Sequence, residues 1–70
     1  MKIVTTTLSE RETQVLKLVA DGLTTAEIGS ALHISRKTAD SHRNRIMEKL
    51  DLHNAVLLTR YAIREGLVTP

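Results

Sequence analysis

One short stretch, Ala31-Leu32-His33-Ile34-Ser35, lies between two helix starts and limits what this chain can fold into. Before it, Thr24-Thr25-Ala26-Glu27-Ile28 opens an amphipathic helix of about two turns. Thr24 can cap that helix, and Glu27, three residues on, can reach back to the cap. After the turn, Ser35 caps a longer helix that runs to about Leu50 and carries Arg36, Lys37, Arg43, Arg45 and Lys49. A short helix, a tight turn and a longer helix with a basic, polar outer face form the arrangement by which a small domain enters the DNA major groove.

The same start signals recur along the chain. Ser9-Glu10-Arg11-Glu12 is a capping box, and Val15, Leu16, Val19 and Ala20 follow it at helical spacing up to a stop at Asp21-Gly22. In the second helix, Ile28, Ala31 and Leu32 are expected to face inward, and Gly29 permits close approach of a neighbour. His33-Ile34 makes the turn, with Ile34 directed at the core. In the third helix the inner positions are Ala39, His42 or Arg43, Ile46 and Leu50. Its outer positions are Arg36, Lys37, Asp40, Ser41, Asn44, Arg45 and Glu48. Asp51-Leu52-His53 breaks to a loop, and a fourth helix runs from its cap Asn54 to Glu65, with Gly66 as the stop. Leu58, Tyr61 and Ala62 form one apolar stripe on it. Val56 and Ile63 fall about 160° and 140° away at about 100° per residue. No strand-like alternation of useful length occurs, so the fold class is all-α: a four-helix bundle with a helix-turn-helix in helices two and three. Residues 1–7 lack helical periodicity and read as a tail or linker stub, leaving residues 8–68 as the domain.

Composition narrows the chemistry. Seventy residues make one domain, and the absence of cysteine excludes disulfides and thiolate metal sites. His33, His42 and His53 are too scattered to form a ligand set, so neither metal nor other cofactor is expected. Tyr61 is the sole aromatic residue, which argues against base stacking and against a small-molecule pocket. No nucleophile with an adjacent base and no phosphate loop is apparent, so the chain does not read as an enzyme. No apolar run approaches the roughly 20 residues of a membrane span, and no leader is evident, which makes the cytoplasm the expected location. The net charge is only +2, but its distribution is uneven. Residues 33–50 carry five cations against two acids, residues 1–32 three against four, and residues 51–70 two against two. The excess positive charge therefore sits on the second half of the motif, as a phosphate-binding face requires.

In order along the chain stand Leu8-Ser9-x-Arg11-Glu12-x-x-Val15-Leu16, Gly22-Leu23-Thr24-x-x-Glu27-Ile28, Leu32-x-Ile34-Ser35-x-x-Thr38-Ala39-x-x-His42-Arg43, Ile46-x-x-Lys49-Leu50 and Tyr61-Ala62-x-x-x-Gly66-Leu67. With these blocks at this spacing, the chain resembles the C-terminal helix-turn-helix domain of LuxR/FixJ/NarL-type bacterial response regulators from Leu8 to Val68. The resemblance implies sequence-specific binding of double-stranded DNA, transcription regulation, and an N-terminal sensor or phosphoacceptor domain in the whole protein. It also implies that Asp40, Ser41 and Asn44 face base edges in the major groove, and that the last helix makes a homodimer. RNA polymerase is a possible further partner.

The residues themselves suit these roles. Asn44 can pair bidentately with adenine, and Ser41 can donate or accept. Arg36, Lys37, Arg43, Arg45 and Lys49 are candidates for phosphate contact, with Thr25 and Thr38 adding hydroxyls. Val56 and Ile63, flanked by Thr59 and Arg60, would form the self-complementary dimer surface. The chain departs from the family pattern at Ala39, where valine is usual, and at Asp40, where many members carry a basic residue. An acid at that position can accept from a cytosine amino group but repels phosphate. Two other readings are the promoter-binding helix-turn-helix of a sigma factor and a helical protein-interaction bundle that binds no DNA. The segment Tyr61-Ala62-Ile63-Arg64-Glu65-Gly66-Leu67 favours the regulator family over the first.

Overall fold

A computed structural model describes residues 8–69. The expected tail, residues 1–7, lies outside the described residues. Among the described residues the chain forms four helices, α1 (Glu10–Ala20), α2 (Thr25–Leu32), α3 (Arg36–Leu50) and α4 (Ala55–Arg64). Helix α1 packs chiefly against α4, and α2 chiefly against α3, with α1 also touching α3.

Each helix begins on a side chain that satisfies an otherwise orphaned backbone N–H. Ser9 Oγ accepts from the Glu12 N–H at 3.0 Å, while the Ser9 N–H donates to Glu12 Oε1 at 2.9 Å. Thr24 and Glu27 repeat this reciprocal pair at 3.2 and 2.8 Å. Ser35 and Asn54 cap α3 and α4 singly, accepting from the N–H groups of Thr38 and Leu57.

The helix ends share a second device. The backbone turns left-handed at Gly22, His33, Asp51 and Gly66, with φ of 91°, 59°, 55° and 74°. The next residue in each case, Leu23, Ile34, Leu52 or Leu67, donates its N–H to a carbonyl five residues back. Each of these four apolar side chains also packs against the core, as the motif favours. The stops at Gly22 and Gly66 follow from glycine's freedom at positive φ, whereas His33 and Asp51 hold the same conformation without it.

The core consists of Val15, Leu16 and Val19 from α1, Ile28 from α2, Ala39 and Ile46 from α3, and Leu58 and Ala62 from α4. Ala31 is exposed, contrary to the inward stripe expected for α2. The buried side of α2 is centred on Ile28, Leu32 and Gly29, which places Ala31 over 100° away at about 100° per residue. Gly29 lies against the start of α3: a Cβ there would sit 2.8 Å from the Ile34 carbonyl oxygen and 3.3 Å from the Arg36 amide nitrogen. The absent side chain thus sets how closely the turn folds back on α2.

Candidate nucleic-acid interface

Helix α3 is oriented by its two fully buried residues, Ala39 and Ile46. At about 100° per residue, the direction opposite them is lined by Lys37, Ser41, Asn44 and Glu48, one ridge at spacings of four, three and four. All four are exposed. Arg36, Asp40 and Arg43 flank the ridge on one side, and Thr38, Arg45 and Lys49 on the other.

Arg36 and Arg45 are exposed, and Arg43 is half-buried. Arg36, Lys37, Arg43 and Arg45 form no ion pair among the described residues, although Asp40 and Glu48 share their helix. Four cations left without an internal counterion are available to an external anion. Thr25, half-buried in the first turn of α2, lines a surface cleft together with Thr24 and Arg43. The fold therefore brings the start of α2 and the middle of α3 to one side of the molecule. There the positive end of the α2 dipole adds to the charge of Arg43. Thr38 is exposed, and its Oγ1 accepts from Ser35 Oγ at 2.8 Å.

Lys49 is engaged elsewhere. Its Nζ donates to Glu12 Oε1 at 2.7 Å, and the Glu12 side chain is only 4% exposed. The hydrogen bond from Lys49, followed by that from the Ser9 N–H, holds the Glu12 carboxyl below its ordinary value against the opposing effect of burial. Lys49 thus fastens the C-terminal half of α3 to the first turn of α1, which makes it a bracing residue rather than one of the unpaired cations. The capping role of Glu12 is local and readable; its partner lies 37 positions away, and nothing in the spacing signals the pair.

On α4, Val56 is 66% exposed and is the one large apolar side chain fully in the open among the described residues. Arg60 is exposed. Thr59 and Ile63 are half-buried, the Thr59 hydroxyl donating to the Ala55 carbonyl at 2.8 Å. Ile63 thus does not stand out into solvent as its angle from Leu58 suggests, so the apolar part of the expected dimer face is centred on Val56. His42 is half-buried and His33 exposed. Among the described residues His53 pairs only with Asp51, at 3.0 Å, on the open surface.

Residues 6–62 match the family described as GerE, bacterial regulatory proteins of the luxR family. The chain belongs to that family. Members are DNA-binding regulators rather than enzymes, and this luxR-family chain is accordingly a DNA-binding helix-turn-helix domain of a transcription regulator. It is 47% identical over 62 residues to the uncharacterized response regulatory protein YgeK of Escherichia coli K12, covering 89% of this chain and 42% of that protein. It is 45% identical over 60 residues to the response regulator UvrY of the same organism, covering 86% of this chain and 28% of UvrY. To the oxygen regulatory protein NreC of Staphylococcus carnosus it is 39% identical over 61 residues, or 87% of this chain and 28% of NreC. The chain thus spans less than half the length of these relatives. No helix of the described residues is long and apolar enough to cross a membrane.

Proposed function

We propose that α3 lies in the major groove with Ser41 and Asn44, and Asp40 beside them, facing base edges. Arg36, Lys37, Arg43 and Arg45 hold the phosphates, and the Thr25 and Thr38 hydroxyls assist. The observation that carries this reading is the set of four cations, unpaired among the described residues, on and beside the ridge of Lys37, Ser41, Asn44 and Glu48. Phosphate contacts of this kind set register and orientation, while the uncharged side chains between them are free to read hydrogen-bonding groups. Residues 8–68 form the working domain, and residues 1–7 a tail or linker stub. Within the whole protein, we take it to be the cytoplasmic effector of a two-component response regulator, acting at promoters where RNA polymerase is a further partner.

Helix α4 supplies the second copy. Val56, Thr59, Arg60 and Ile63 lie within about 100° of one another around α4, a face suited to a two-fold homodimer reading two half-sites. Val56→Glu is expected to leave thermal stability within about 0.5 kcal/mol, because its side chain is exposed. The same change should abolish dimers in solution or on a duplex carrying two half-sites. Unchanged mass and unchanged affinity in this variant would exclude the α4 dimer.

The groove reading is tested by titrating the chain with duplex DNA over a range of salt. Four phosphate contacts predict a slope of about −3.6 in log K against log salt for each bound domain. An affinity flat in salt would contradict it.

A further inference from the structure

Asp40 is out of keeping with its surroundings. It stands one helical turn after Arg36 and Lys37 and one turn before Arg43 and Asn44, at the spacings that bring side chains on a helix together. Yet its carboxylate takes part in no ion pair and no side-chain hydrogen bond among the described residues; the residue is half-buried, with the carboxylate still open to solvent. Three cations within reach leave it unpaired.

An ionised carboxylate is acceptor-only. Facing phosphate it repels, and desolvated without a donor it costs free energy. On a DNA surface it therefore needs a donor from a base edge. Guanine offers the N7 and O6 acceptors, thymine the O4 acceptor and a methyl group, and adenine an N6 donor beside the N7 acceptor. Cytosine alone presents a donor, its N4 amino group, with no acceptor beside it.

We infer that Asp40 is a specificity-determining residue. It selects one cytosine in each half-site by accepting a hydrogen bond from the N4 amino group, and it lowers affinity for DNA that lacks a cytosine there. The four unpaired cations would otherwise bind any duplex, and Asp40 makes that general attraction conditional. This inference rests on the docking of α3 proposed above.

The test uses the full chain, with Asp40→Ala, the near-isosteric Asp40→Asn and, as a control at a different position, Asn44→Ala. Sites are selected from random duplex DNA for each protein. Affinities are then measured on the selected site and on random duplex at one fixed salt concentration. Asp40→Ala is expected to lose a single cytosine preference, with discrimination at that position falling about 10-fold, and to bind random duplex about 3-fold more tightly. Asp40→Asn should move the preference at that position towards adenine, which an amide can contact bidentately.

N4-methylcytosine at the same position places a methyl group where the groove-facing hydrogen stood. It should weaken the unaltered chain about 10-fold and leave Asp40→Ala within about 2-fold. The inference is overturned if Asn44→Ala changes a base preference while Asp40→Ala changes none, or if N4-methylcytosine affects both proteins equally. If the unaltered chain shows no base preference at all, the docking of α3 fails and this inference fails with it.

Discussion

Helices α1 and α4 contribute Val15, Leu16, Val19 and Leu58 to the core, whereas the junction of α2 with the start of α3 turns on Gly29 and the small, fully buried Ala39. The first pair gains stability from large apolar side chains removed from water. The second buries Ile28 and Ile46 as well, but where α2 meets the start of α3 a missing side chain lets the Ile34 carbonyl and the Arg36 N–H come close to Gly29. Both pairs therefore hold the domain folded, and the close approach at Gly29 gives the second the further task of aiming α3. The Glu12–Lys49 bridge joins the two, fixing the far end of α3 to α1.

This contrast can be broken most forcefully at Leu16. Leu16→Ala, or Leu58→Ala, removes a fully buried side chain and should cost about 3 kcal/mol in urea unfolding. DNA affinity should then fall only in proportion to the unfolded fraction. Gly29→Ala should cost less, about 1–3 kcal/mol, because the new Cβ meets backbone that must shift. Its loss of DNA affinity should nevertheless persist at temperatures where circular dichroism shows the chain fully folded. If Gly29→Ala lost affinity only through unfolding, the assignment of aim to this junction would be wrong.

The bridge between the pairs sharpens the comparison further. Glu12→Gln retains an acceptor for the Ser9 N–H and loses the ion pair. Lys49 is 37% exposed and can turn to water, so a cost of about 1–2 kcal/mol is expected, below that of a fully buried pair. The folded-state value of Glu12 is lowered from 4.5, so the contribution of the pair is complete above that value. It is lost as pH falls through the lower folded-state value. Thermal unfolding between neutral and acid pH should show that loss in the unaltered chain and a flatter acid limb in Glu12→Gln. The smallest effect is a gain. His33→Gly relieves a left-handed residue at the turn and should stabilise the chain by about 0.5–1 kcal/mol, read as a higher unfolding midpoint.

What was legible in the sequence was mostly local. Ser9 with Glu12, Thr24 with Glu27, Ser35 and Asn54 announce helix starts because a cap and its N–H partner lie three residues apart. The exposed ridge of α3 follows from one angular period and two apolar anchors. Contacts between distant segments were not legible. The Lys49–Glu12 pair crosses 37 positions, and Ala31 and Ile63 are placed by how whole helices pack rather than by their own spacing. His33 and Asp51 adopt positive φ because Ile34 and Leu52 beyond them pack on the core, an effect of tertiary structure on residues that carry no glycine signal.

The central claim is that α3 divides its labour between cations that hold phosphate and uncharged residues that read bases. Comparing Asn44→Ala with Lys37→Ala on selected and random duplex DNA across a range of salt tests it most directly. The account predicts that Asn44→Ala relaxes preference at one position and leaves the salt slope unchanged. It predicts that Lys37→Ala weakens all sequences alike and reduces the slope by about 1. Two variants indistinguishable in both preference and slope would contradict it.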